Sequence, residues 1–159
     1  MRIAAVAEAV NTLFLGLPQP QHQAKAIAHA ACVSQWCGLL ARTRGVDMEV
    51  CVAAGLLHDI WLYQHFPWTQ EVLAAHGPEG AAAARVLLDE LHNDAGMTLF
   101  SRQEIDVICQ AIALHDATDT QHDPVDEVLK DADALANNGL RDVVENVRAA
   151  RVLAAMGME

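Results

Sequence analysis

The chain has 159 residues, 53% of them hydrophobic, and carries a formal net charge of −11 from 21 acidic and 10 basic side chains. That length suits one domain with a substantial core. The Lys and Arg residues are scattered with no basic block, so neither a nucleic acid polymer nor an anionic membrane surface, both bound through phosphate neutralisation, is an expected partner.

Ala, Leu and Val are abundant, Gly and Pro are sparse, and no run alternates with period two, which predicts an all-α fold. The first helix spans residues 2 to about 15, with Ile3, Val6, Val10 and Leu13 near one another. Arg2 before Ile3-Ala4-Ala5-Val6-Ala7 has the outline of a signal peptide, but Glu8 and Asn11 interrupt the apolar run and make it amphipathic. No segment reaches the roughly 18 uninterrupted apolar residues needed to span a bilayer. The break Gly16-Leu17-Pro18-Gln19-Pro20 ends this helix.

The second helix runs from about 22 to 43, with Ile27, Ala30, Val33, Cys37 and Leu40 at helical spacing and Gly45 as its stop. It carries His29, and a helical His among apolar residues is by itself more often a satisfied core or boundary residue than a ligand. Asp47 caps the third helix, whose apolar residues lead to the adjacent pair His58-Asp59. Neighbouring residues on a helix diverge by about 100°, so both reach one ion only if it lies beside the helix and other segments complete its shell. The loop that follows, Trp61-Leu62-Tyr63-Gln64-His65-Phe66-Pro67-Trp68, holds four of the seven aromatic residues. It reads as an anchor on the core or as a pocket wall.

Pro78 in the first turn of a helix places His76 just before a helix running to about 92, where free N–H groups would offer a weak anion contact. Ser101 and Glu104 form a capping box for a helix ending at His115-Asp116. His115 has a plain role at the negative end of the helix dipole and a second one as a ligand. After a loop over 117 to 122, Asp123 caps and Pro124 starts a helix with Asp131 and Asp133 late in its course, against the dipole. A bound cation would suit Asp133, which shares a side with Leu129 and Ala136. A last helix, 140 to 156, carries Val143, Val147, Ala150 and Leu153 at core spacing. Cys32, Cys37, Cys51 and Cys109 lie within helical patterns without zinc or redox spacing, which predicts free core thiols and a cytoplasmic protein.

Collected in order, His29, His58-Asp59, His76, His115 and Asp133 resemble the HD-domain superfamily of metal-dependent phosphohydrolases, named for its His-Asp pair. The likeness is carried by His29-Ala30-Ala31-Cys32-Val33, by Ala53-Ala54-Gly55-Leu56-Leu57-His58-Asp59-Ile60 and by Lys130-Asp131-Ala132-Asp133-Ala134-Leu135. It implies a single HD-type helical bundle over 1–159, of about six to seven helices, with a metal-binding core over about 22–138. It further implies a primary metal site of His29, His58, Asp59 and Asp133. Asp133 is preferred to Asp131 because it precedes Ala134-Leu135. His76 and His115 look like the two extra histidines of the binuclear branch, in which Asp59 would bridge two ions. His58 and Asp59 are then the catalytic residues, with Trp61, Tyr63 and Lys130 as candidate substrate contacts.

A His and carboxylate shell suits one or two divalent ions of Fe, Mn, Co, Ni or Zn, with Mg an option. The metal would activate water against a small phosphate ester, plausibly a nucleotide whose base packs on the aromatic run. Bound metal would also offset the unfavourable field of an acidic chain. Many relatives follow the pair with Gly and a phosphate-holding Lys, and this chain has Trp61 and Leu62 there. Two alternatives therefore stand: a di-iron oxygenase of the same superfamily, and a metal-stabilised binding or regulatory module without turnover. Oligomeric state has no sequence signal.

Overall fold

The computed structural model describes residues 2–117, 120–138 and 147–157. Among these, α1 (Arg2–Leu15), α2 (Pro20–Arg44), α3 (Met48–Leu57), α4 (Ile60–Gln64), α5 (Gln70–Glu90), α6 (Arg102–Leu114), α7 (Pro124–Asn138) and α8 (Val147–Ala155) make an all-α bundle. No described helix is long and apolar enough to cross a membrane.

Most helix ends follow from local chemistry. Gly45 ends α2 with φ 67° and donates its N–H to the carbonyl of Ala41, a left-handed conformation that costs glycine little. The Asp47 carboxylate accepts from the N–H groups of Glu49 and Val50 and starts α3. Ser101 and Glu104 form the reciprocal capping box of α6.

Three expectations change. The segment after His58-Asp59 is not a loop throughout, because Ile60–Gln64 forms α4 with Ile60, Leu62 and Tyr63 buried. His76 lies inside a helix, not before one: the Thr69 hydroxyl accepts from Val72 N–H and starts α5 two turns earlier, leaving Pro78 in its interior. The expected anion contact at a helix start beside His76 is therefore absent. Pro78 is exposed there, and its missing N–H and its ring interrupt the backbone ladder locally. Finally, residues 140–146 of the expected last helix lie outside the described residues, and α8 is described from Val147.

Helix α2 packs on α3 and α7, and α5 on α6. Small residues allow the closest approaches. A Cβ on Gly55 would lie 2.9 Å from Cys37 Sγ and 3.0 Å from Ser34 Cα, and one on Gly77 would lie 2.8 Å from the carbonyl oxygen of Ala113. Gly80 similarly faces the carbonyl of His58 at 3.0 Å. These contacts bring the chain around the His-Asp pair against α5 and α6, so that side chains from five segments converge. Cys37, Cys51 and Cys109 are buried and Cys32 is half-buried, all four as free thiols. Burial pushes the Cys51 thiol up to about 12, which leaves it unreactive at neutral pH.

Candidate metal centre

The six sequence-derived donors lie together in two groups. His29 from α2, His58 from the end of α3 and Asp133 from α7 form one; Asp59, His76 from α5 and His115 from the end of α6 form the other. In the first, His29 Nε2 and His58 Nε2 are 3.1 Å apart. Asp133 Oδ1 is 3.3 Å from His29 Nε2 and 3.6 Å from His58 Nε2. In the second, His76 Nε2 and His115 Nε2 are also 3.1 Å apart.

Asp59 links the groups through its two oxygens. Its Oδ2 is 3.5 Å from His29 Nε2 and 3.3 Å from His58 Nε2, while Oδ1 is 3.9 Å from His76 Nε2 and 3.8 Å from His115 Nε2. Three of the imidazoles are oriented by their other nitrogen. Nδ1–H of His58 donates to the Gly55 carbonyl at 2.9 Å, that of His76 to Leu73 at 2.6 Å, and that of His115 to Ile112 at 2.7 Å. With Nδ1 protonated, each Nε2 presents a lone pair to the centre, the tautomer a metal requires.

Two observations test whether this donor set fits a metal. Paired Nε2 lone pairs at 3.1 Å repel unless a cation or a proton lies between them, and metal–nitrogen bonds of about 2.0–2.1 Å place neighbouring donors at about that separation. Second, Asp59 Oδ1 is buried with no hydrogen-bond partner among the described residues, an uncompensated carboxylate oxygen of the kind that a bound cation explains. The donors fit.

The electrostatics divide in the same way. Burial opposes charge on His29, but hydrogen bonds to Asp133 and Asp59 raise its pKa above the ordinary value. His58 is raised well above it: burial again opposes, and the charge of Asp59 with the Asp133 hydrogen bond prevails. Burial would push Asp59 up, but His58 and His29 hold it well below the usual carboxylate range. Asp133 is depressed for the same reasons. His115 moves the other way, lowered by burial and by the charge of His58.

A cavity of about 280 Å³ opens over these groups, lined also by Lys25, Leu62, Tyr63, Trp68, Leu73, Asp116 and Asn137. Of the three expected substrate contacts, Tyr63 lines it. Burial, with Asp59 and Asp133 nearby, pushes its phenol up, so it remains a hydrogen-bond donor at neutral pH. Trp61 does not line the cavity. It stacks on His65 with centroids 3.9 Å apart, one helical turn along α4, because adjacency in sequence to Asp59 is not adjacency in space. Lys130 does not line the cavity either: it is 1% exposed, and its Nζ donates to the Thr120 carbonyl at 2.8 Å and to Glu127 at 3.1 Å, with His122 Nδ1 as a further neighbour. Asp131 turns away from the centre to Arg44, at 2.6 Å, and to Arg148.

Sequence reasoning passed over Asp116, whose Oδ2 is 3.3 Å from His76 Nε2. Its place directly after His115 was the available signal. Asn137 was also passed over; its amide donates to Asp133 Oδ1 at 2.9 Å, and its spacing of four residues from Asp133 put it on the same helix face.

The model of one known family, the HD domain, matches residues 26–138, which include all six donors. No curated protein and no solved structure matches the chain.

Proposed function

Because the chain belongs to the HD-domain superfamily of metal-dependent phosphohydrolases, we propose that it hydrolyses a small phosphate ester at a centre for two divalent ions. His29, His58, Asp133 and Asp59 Oδ2 would hold one ion, and His76, His115 and Asp59 Oδ1 the other. Asp116 is within reach of the second group. The observation that carries this reading is the orientation of Asp59: one oxygen faces each pair of imidazoles, and Oδ1 is buried without any other partner.

Metal bound there would lower the pKa of a water and offset charge on the phosphoryl oxygens. The protein contributes position and protonation state. His58, His76 and His115 are held by main-chain carbonyls with their Nε2 atoms toward the centre. Asp59 is ionised across the physiological range. Asn137 restrains Asp133, and Leu62, Leu73 and Trp68 supply apolar wall that limits the access of bulk water.

The test is elemental analysis of protein purified without chelators, followed by a panel of phosphate esters with Mn, Co, Ni or Mg supplied. We expect stoichiometric transition metal, phosphate release by the wild type, and its loss in His58→Ala. Metal-free protein that releases no phosphate under any of these conditions would overturn the proposal. Substrate-dependent oxygen uptake by iron-loaded protein, without phosphate release, would mark it as an oxygenase instead.

A further inference from the structure

The cavity over the donors is lined by the carboxylates of Asp59, Asp116 and Asp133 and, among the described residues, by one lysine, Lys25, and no arginine. Lys25 lies four residues before His29 on α2, and residues so spaced share a helix face. Its Nζ is 4.7 Å from the centroid of the Trp68 ring, and it makes no hydrogen bond or ion pair with any described residue. The ring beneath it is fixed: Trp68 Nε1–H donates to the Leu62 carbonyl at 3.0 Å, and Trp68 packs edge-on against Tyr63 at 5.4 Å.

Five other cations among the described residues are held by carboxylates: Arg2, Arg44, Arg85, Lys130 and Arg148. Lys25 has three carboxylates lining the same cavity and pairs with none. An aromatic face holds an ammonium without neutralising it. The cation therefore remains available to an anion entering from solvent, and a charge-assisted hydrogen bond to a phosphate oxygen is the strongest contact it could make.

We propose that Lys25, carried on Trp68 at the rim of the cavity, is the residue that receives and positions the phosphate group of the substrate. This rests on the phosphohydrolase reading above and adds a residue to it. Lys25 makes no hydrogen bond or ion pair with a candidate metal ligand among the described residues, so its replacement should leave metal content unchanged.

The experiment compares the wild type, Lys25→Gln and Lys25→Arg, each loaded with Mn and matched for metal content. Inorganic phosphate is titrated by calorimetry at low ionic strength, and a phosphate ester is then assayed. Lys25→Gln should weaken phosphate binding about 10-fold, the scale of a lost hydrogen bond to a charged group, and raise KM more than it lowers kcat. Lys25→Arg should recover most of the affinity. Equal phosphate affinity in the wild type and Lys25→Gln, or no binding by the metal-loaded wild type, would overturn the inference. Phosphate binding that depends on Lys25, in a protein that cleaves no ester, would support the inference and overturn the phosphohydrolase reading.

Discussion

His29, His58 and Asp133 come from three helices, and the two imidazoles stand 3.3 to 3.6 Å from Asp133 Oδ1 and Asp59 Oδ2. His76 and His115 come from two helices packed on each other and stand 3.8 and 3.9 Å from Asp59 Oδ1. The first group has two carboxylates for two imidazoles and holds protons in place of a cation: both imidazoles are raised. The second shares one buried carboxylate oxygen, and its His115 is lowered. Without metal, the first group thus favours protonated imidazole at His29 and His58, and in the second His115 favours its neutral form. Affinity and proton release should differ between them although both use imidazole and carboxylate.

The largest effect tests what the groups have in common. Asp59→Ala removes an oxygen from both, so metal content should fall below one ion per chain and activity by about 10³-fold, comparable to losing a main transition-state contact. Retention of two ions would break the comparison. A smaller effect separates the groups: His115→Ala should keep one ion and lose the other, with affinity at the second site down by at least about 10- to 100-fold, whereas His29→Ala should remove the ion of the first. Anomalous diffraction on each variant locates the ion that remains.

The smallest effect is in pH. In metal-free protein, His29 and His58 have folded pKa values above an unfolded value of about 6.5, so their stabilisation is full below that pH and is lost as pH rises through the folded values. His115 has a lowered folded value, so its contribution is present above about pH 6.5 and is lost as pH falls. Thermal unfolding of chelated protein should therefore weaken on both sides of that pH. His29→Gln should flatten the alkaline side and leave the acid side. A melting temperature independent of pH between 5 and 8, a range of about three units around the histidine value, would contradict the difference between the groups.

Much of this was legible in the chain. The stops and caps at Gly45, Asp47, Ser101 and Glu104 act through contacts within a few residues, which is why pattern alone finds them. The choice of Asp133 over Asp131 agrees with where the two side chains lie, since two positions along a helix rotate a side chain by about 200°. The differences lie where a second local contact competes with the one the pattern suggests. Pro78 was read by its usual place in a first turn, although Thr69 offered a cap two turns earlier. Trp61 and Lys130 are near Asp59 and Asp133 in sequence, yet one stacks on His65 and the other is held by Thr120 and His122. Nothing in the sequence pairs Lys25 with Trp68, 43 positions away.

His58 and His115 are also the residues at which α3 and α6 end. The Gly55 and Ile112 carbonyls that orient their rings belong to the last turns of those helices, where main-chain acceptors lack an amide partner. The side chain that offers Nε2 outward thus terminates its own helix with Nδ1–H. Exchanging either histidine for a ligand without a second ring nitrogen would fray a helix as well as empty a coordination position. Amide hydrogen exchange in the last turns of α3 and α6 would report that fraying separately from metal loss.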